Sequence, residues 1–105
     1  MSAATHIDDA VGPVLQATPL GRAIVAAIEA SDDNVEVQDE GAYLRVFGRR
    51  VCLVSSAEVE AQFGQPVQFP GDLEVIMSSF SGLMAVSETG AVWWRSSEPR
   101  PELPS

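Results

Sequence analysis

The stretch from Val35 to Val54 constrains the fold more than any other part of the chain. Apolar and polar residues alternate there in three short runs: Val35-Glu36-Val37-Gln38, Tyr43-Leu44-Arg45-Val46-Phe47 and Val51-Cys52-Leu53-Val54. Successive side chains of a strand point to opposite faces, so a period of two is the mark of a half-buried strand. Asp39-Glu40-Gly41 and Gly48-Arg49 separate the runs, and both have the length and residue types of tight turns. The pattern predicts three consecutive antiparallel strands, a meander.

The flanks add helices and further strands. Thr18-Pro19 reads as a helix start, a hydroxyl N-cap followed by proline at the first helical position. Leu20, Ile24, Ala27 and Ile28 recur at helical spacing behind it, and Ser31-Asp32-Asp33-Asn34 ends it in turn residues. Before it, Val11 to Gln16 is a short apolar run that can be an edge strand, because Pro13 has no N–H for a ladder. Ser55 and Glu58 have capping-box spacing at the start of a short helix that Gly64 stops. Pro70 to Leu73 can form one helical turn, Val75 to Met77 is extended, and Ser78 to Gly82 is a flexible small-residue segment. Leu83–Val86 and Ala91–Arg95 flank Ser87-Glu88-Thr89-Gly90 as one more hairpin. The fold class expected is α+β, a mostly antiparallel sheet packed with two helices. Residues 11–95 form the folded body. Residues 1–10 are expected to be a flexible tail, and residues 96–105, with Pro99, Pro101 and Pro104, a disordered one.

Function is bounded first by what is missing. A chain of 105 residues is one domain. No apolar run reaches the roughly 18 residues of a membrane helix, and no basic start with an apolar core marks a secretion signal, so the expected compartment is the cytoplasm. With 15 acidic and 6 basic residues the net charge is -9, which repels nucleic acid and anionic membranes and either serves solubility or suits a protein partner with a complementary face. The single histidine, His6, lies in the tail, and the single cysteine, Cys52, lies in an apolar strand. Neither a catalytic triad nor a cysteine-based metal site can be assembled from them. Asp8-Asp9 and Asp32-Asp33 read as solvated pairs, Glu58 as a cap and Glu60 as a solvated helix residue. No catalytic, cofactor-binding or metal-binding residues are expected, and the chain reads as a non-enzyme that is monomeric when free.

What remains is surface for a partner. Tyr43 and Phe47 face one side of their strand, Leu44 and Val46 the other. Trp93-Trp94 places one indole on each side of a strand, so at least one must pack away from the main core, against a helix or a partner. Ser78, Ser79, Phe80, Ser81 and Gly82 surround one aromatic with small hydroxyl residues and a permissive glycine, a composition suited to close docking. Two classes stay open on the residues alone: a protein-binding regulator, or a small-molecule-binding α+β regulatory domain.

Several stretches, in this order and spacing, resemble the small effector, or coupling, proteins of bacterial multicomponent soluble diiron monooxygenases. They are Val11-Gly12-Pro13-Val14, Val35 to Asp39, Ala42 to Val46, Val59-Glu60-Ala61-Gln62-Phe63-Gly64-Gln65-Pro66, and Leu73 to Gly82. The opening Val-Gly-Pro and the Ser79-Phe80-Ser81-Gly82 segment are most similar to the toluene, alkene and isoprene monooxygenase type. The resemblance implies a cofactor-free component that binds a diiron hydroxylase and tunes active-site access, oxygen activation and the coupling of hydrocarbon hydroxylation or epoxidation. It also implies that Ser78, Ser79 and Phe80 lie at the docking surface. Phe80 is much larger than its counterpart in the methane-oxidising members.

Overall fold

A computed structural model describes residues 10–32 and 34–104. His6, Asp8, Asp9 and Asp33 lie outside the described residues, as does all of the expected N-terminal tail except Ala10, which is buried. In chain order the described elements are β1 (Gly12–Gln16), α1 (Pro19–Ser31), β2 (Glu36–Asp39), β3 (Tyr43–Phe47), β4 (Val51–Ser55), α2 (Ser56–Phe63), α3 (Gly71–Ile76), β5 (Met77–Ser81), β6 (Leu83–Ser87) and β7 (Gly90–Trp94).

The α+β class and the antiparallel pairing are as the sequence predicts. Among the described residues, however, the strands divide into two sheets, one ordered β2-β3-β1-β5 and the other β4-β7-β6. The meander therefore stops after β3. Val11 and Gly48 exchange both backbone hydrogen bonds, at 2.8 and 2.6 Å. A Cβ at Gly48 would come within 2.6 Å of the Val51 carbonyl oxygen, so only glycine lets the chain double back there. That corner carries β4 away from β3 to pair with β7, Cys52 opposite Trp93 and Val54 opposite Ala91.

Pro13 does not mark a sheet edge. β1 lies inside its sheet, with β3 on one side and β5 on the other. The ladder to β3 runs from Val14 to Gln16, so Pro13 owes that strand no N–H. β5 is the strand that takes the edge, and the segment expected to be flexible is thus a paired strand. The helical turn expected after Pro70 extends to Ile76 as α3, because Leu73 and Ile76 both reach the core.

The helix ends follow their capping chemistry. Thr18 Oγ1 accepts from the Gly21 amide at 3.0 Å with Pro19 at the first helical position. Ser55 Oγ accepts from the Glu58 amide at 3.1 Å, and Gly64 closes α2 in the left-handed region at φ 78°. The carboxylates work differently from the expectation. Glu58 accepts from Gln62 Nε2, and Glu60 Oε2 accepts from the Val67 amide at 2.9 Å, which ties α2 to the following loop.

One core lies between the layers. Ile24, Ala27 and Ile28 of α1 pack with Leu15, Leu44 and Val46 of the first sheet and with Val54, Ala91 and Trp93 of the second. Val59, Leu73 and Phe69 close it. Val92 and Trp94 point away from this cluster, yet both are buried. The C-terminal segment supplies part of the cover: the Arg100 guanidinium sits 5.9 Å from the Trp94 ring centroid. Pro104 lies against Gly90, and Glu98 is 3.9 Å from Arg50. The segment lacks helix and strand, as its prolines require, but it is laid against the second sheet with Leu103 and Pro104 half-buried.

Candidate docking surface

The five residues singled out from the sequence lie on β5 and the turn behind it, and they do not share one face. Pro13, fully buried on the core side of β1, pairs with Phe80, which puts the Phe80 ring on that same side at the rim of the sheet. It is 44% exposed, so the core does not enclose it. Ser79 pairs with Val14 and Ser81 with Gly12, facing the outer side. Register slips between Val14 and Leu15, which leaves Ser78 as the extra residue of a bulge. Its Oγ lies 3.4 Å from the Val14 carbonyl oxygen.

Gly82, exposed at the turn, is the one of the five whose residue type the chain's own packing dictates. Its φ is +92°, and a Cβ there would meet the Trp94 carbonyl oxygen at 2.6 Å and Val11 Cγ1 at 2.7 Å. The close approach that requires glycine is to this chain's own backbone.

A groove of about 460 Å³ opens on the outer face of the first sheet. Val14, Gln16, Tyr43, Arg45, Ser78 and Ser79 line it, so the structure joins two of the sequence-predicted residues to side chains from β1 and β3. Alternation along β3 explains the pairing: Leu44 and Val46 enter the core, which turns Tyr43, Arg45 and Phe47 outward. Tyr43 is 39% exposed. The Arg45 guanidinium stands 5.4 Å from the Phe47 ring centroid. Directly opposite it across the sheet stand neutral residues, Val14 on β1 and Gln38 on β2, and Glu36 lies diagonally on the same face, opposite Phe47.

Tyr43 was visible as a candidate in the sequence, whereas Arg45 and Gln16 were not. The one signal that would have found Arg45 is its place: a cation at an outward position of a strand in a chain of net charge -9.

Other chemistry is limited. Cys52 is buried, and burial, helped by the nearby Asp32 charge, pushes its thiol pKa up to about 12, which leaves it a protonated core residue. Asp39 is exposed; the Gly41 amide and then Arg22 hold its carboxyl below the ordinary value. Among the described residues no group of three His, Cys, Asp or Glu is placed to hold a metal ion, and no helix is long and apolar enough to cross a membrane.

Comparison with known proteins places this arrangement. Residues 9–94 match the MmoB/DmpM family. The effector subunit of the alkene monooxygenase system of Xanthobacter autotrophicus (strain ATCC BAA-1158 / Py2) is 34% identical over 89 residues, covering 83% of this chain and 87% of that one. Two structures of a phenol hydroxylase–regulatory protein complex each contain a chain of the same fold. One superposes with a TM-score of 0.70 at 14% identity over 81% of this chain and 95% of its own. The other gives 0.68 at 16% identity over 81% and 99%.

Proposed function

This chain belongs to the MmoB/DmpM family, and we propose that it is the non-catalytic effector subunit of a multicomponent monooxygenase, acting in the cytoplasm on a diiron hydroxylase. The relative that is 34% identical is itself the effector subunit of an alkene monooxygenase system, and that likeness over most of both chains carries the reading. The oxygen chemistry then belongs to the hydroxylase, and this chain contributes an interface.

An effector of this kind works as a ligand. It moves the hydroxylase between conformations only by its difference in affinity for them, so its contacts must be better made in the productive state. Cover over the active site also keeps water from reactive intermediates and ties electron consumption to oxidation of the hydrocarbon. The exposed row Ser78, Ser79, Phe80 and Ser81 is the first contact we assign to that interface. β5 supports the assignment because it is a sheet edge without a charged residue, and edges that must stay unpaired ordinarily carry charge, proline or cover. The opposite edge, β2, carries Glu36 and Asp39.

The test is titration of this protein into the hydroxylase and electron-transfer components of its own system. Turnover, and product formed per electron pair consumed, should both rise and saturate with added protein. Turnover that ignores its presence at every ratio, together with no complex in sedimentation, would refute the effector role.

A further inference from the structure

We propose that the groove on the outer face of the first sheet is a carboxylate-reading part of the docking surface, in which Arg45 receives an acidic side chain of the hydroxylase. This inference rests on the effector reading and names the chemistry of its contact.

The groove is rich in donors. Arg45 brings the guanidinium fork, Tyr43 a phenol, Ser79 a hydroxyl and Gln16 an amide, all from elements lining one cavity. Phe47 stacks under the guanidinium and limits the orientations it must give up on binding. Arg22 pairs with Asp39 and Arg50 with Glu98, and Arg45 is in neither pair. A planar fork offered beside hydroxyl donors matches the two oxygens of a carboxylate.

Charge decides the kind of partner. At a net charge of -9 this protein disfavours acidic surfaces in general. A single acid on a neutral or basic hydroxylase face would meet net repulsion over most of this surface and attraction at this groove, where the guanidinium stands beside hydroxyl donors. One Arg–carboxylate contact therefore sets register: it rewards the correct placement and penalises shifted ones. Tyr and Arg are also the residue types that most often dominate binding energy.

Arg45 is half-buried on a sheet face outside the core, so its substitution should leave the fold intact. Thermal unfolding of Arg45→Gln and Arg45→Glu should match wild type. Half-maximal stimulation of the hydroxylase should need roughly tenfold more Arg45→Gln and still more Arg45→Glu, at unchanged maximal turnover. Acid-to-lysine substitutions on the hydroxylase surface should include one that restores Arg45→Glu and weakens wild type. Arg49→Gln, on an exposed turn, serves as the control and should titrate as wild type does. If wild type stimulates turnover and Arg45→Glu does so at the same concentration, the carboxylate contact is wrong while the effector role stands. If wild type itself has no effect, the effector reading fails instead. A wild-type thermal shift with free acetate or succinate that Arg45→Gln abolishes, without any change in hydroxylase titration, would make the groove a small-molecule site and overturn the proposal.

Discussion

Phe80 and Cys52 illustrate how one residue can be read two ways until its surroundings are known. An aromatic in a strand is more often core than contact, and in the core Phe80→Ala would cost about 3–5 kcal/mol of folding stability. With 44% of its surface exposed at the rim of β5, Phe80 has little core packing to lose. We expect Phe80→Ala to unfold within a few degrees of wild type and to weaken hydroxylase binding by about 2 kcal/mol. Calorimetry of the free variant and a turnover titration check the two halves separately, and wild-type potency from a folded variant would remove Phe80 from the interface. Cys52 resolves the other way. Its raised folded pKa keeps the thiol neutral while the unfolded chain ionises from the ordinary value of 9.0. The stability it contributes is fully present below pH 9 and is lost as pH rises toward about 12. Denaturation midpoints from pH 7 to 10.5 should fall more steeply for wild type than for Cys52→Ala. Parallel curves would show that the thiol is not the group responsible. The inertness of Cys52 was legible in the sequence from its apolar strand. The exposure of Phe80 was not, because it depends on which side of β1 the strand partner β5 lies.

At the scale of elements, local chemistry was readable and long-range pairing was not. Thr18-Pro19, Ser55 and Gly64 each do what their residue type dictates within four positions of the chain, so α1 and α2 were predictable almost to their ends. The position of β1 inside its sheet depends on β5, more than 60 residues away, and no signal near Pro13 carries that information. The C-terminal segment shows the same limit. Its prolines specify only that it is extended, whereas its place is marked by Arg100 on Trp94 and Pro104 on Gly90. From composition alone its removal should cost nothing. The contacts lead to the opposite expectation: truncation after Arg95 would strip cover from Trp94, which is only 8% exposed in the full chain. The truncated protein should show red-shifted tryptophan emission and a lower unfolding temperature. An emission spectrum identical to that of the full chain would mean that the segment does not shield Trp94.

The described residues form two sheets closed over one core, and glycines stand at the two places where the chain crosses directly from the first sheet to the second. The sequence could not show this division, because Gly48 and Gly82 look like ordinary turn residues until the strands they separate are assigned. Gly82 is the sharper case. It ends β5 in the first sheet and starts β6 in the second, at φ +92°, against the Trp94 carbonyl and Val11. Its neighbours cannot give way easily, since one is the backbone of the central strand of the second sheet and the other is the side chain of buried Val11, whose backbone is bridged to Gly48. Gly82→Ala adds both left-handed strain and a steric clash, which together should cost about 2 kcal/mol or more of folding stability. Its effect on the hydroxylase should be indirect. Well below its own unfolding transition, where the variant is folded, it should stimulate turnover at wild-type concentrations, because the groove and the exposed row on β5 do not use the Gly82 surface. Urea denaturation at low temperature and a turnover titration at that same temperature separate the two effects. A variant of wild-type stability that fails to stimulate would place Gly82 in the interface, and would mean that docking reaches across the junction between the sheets.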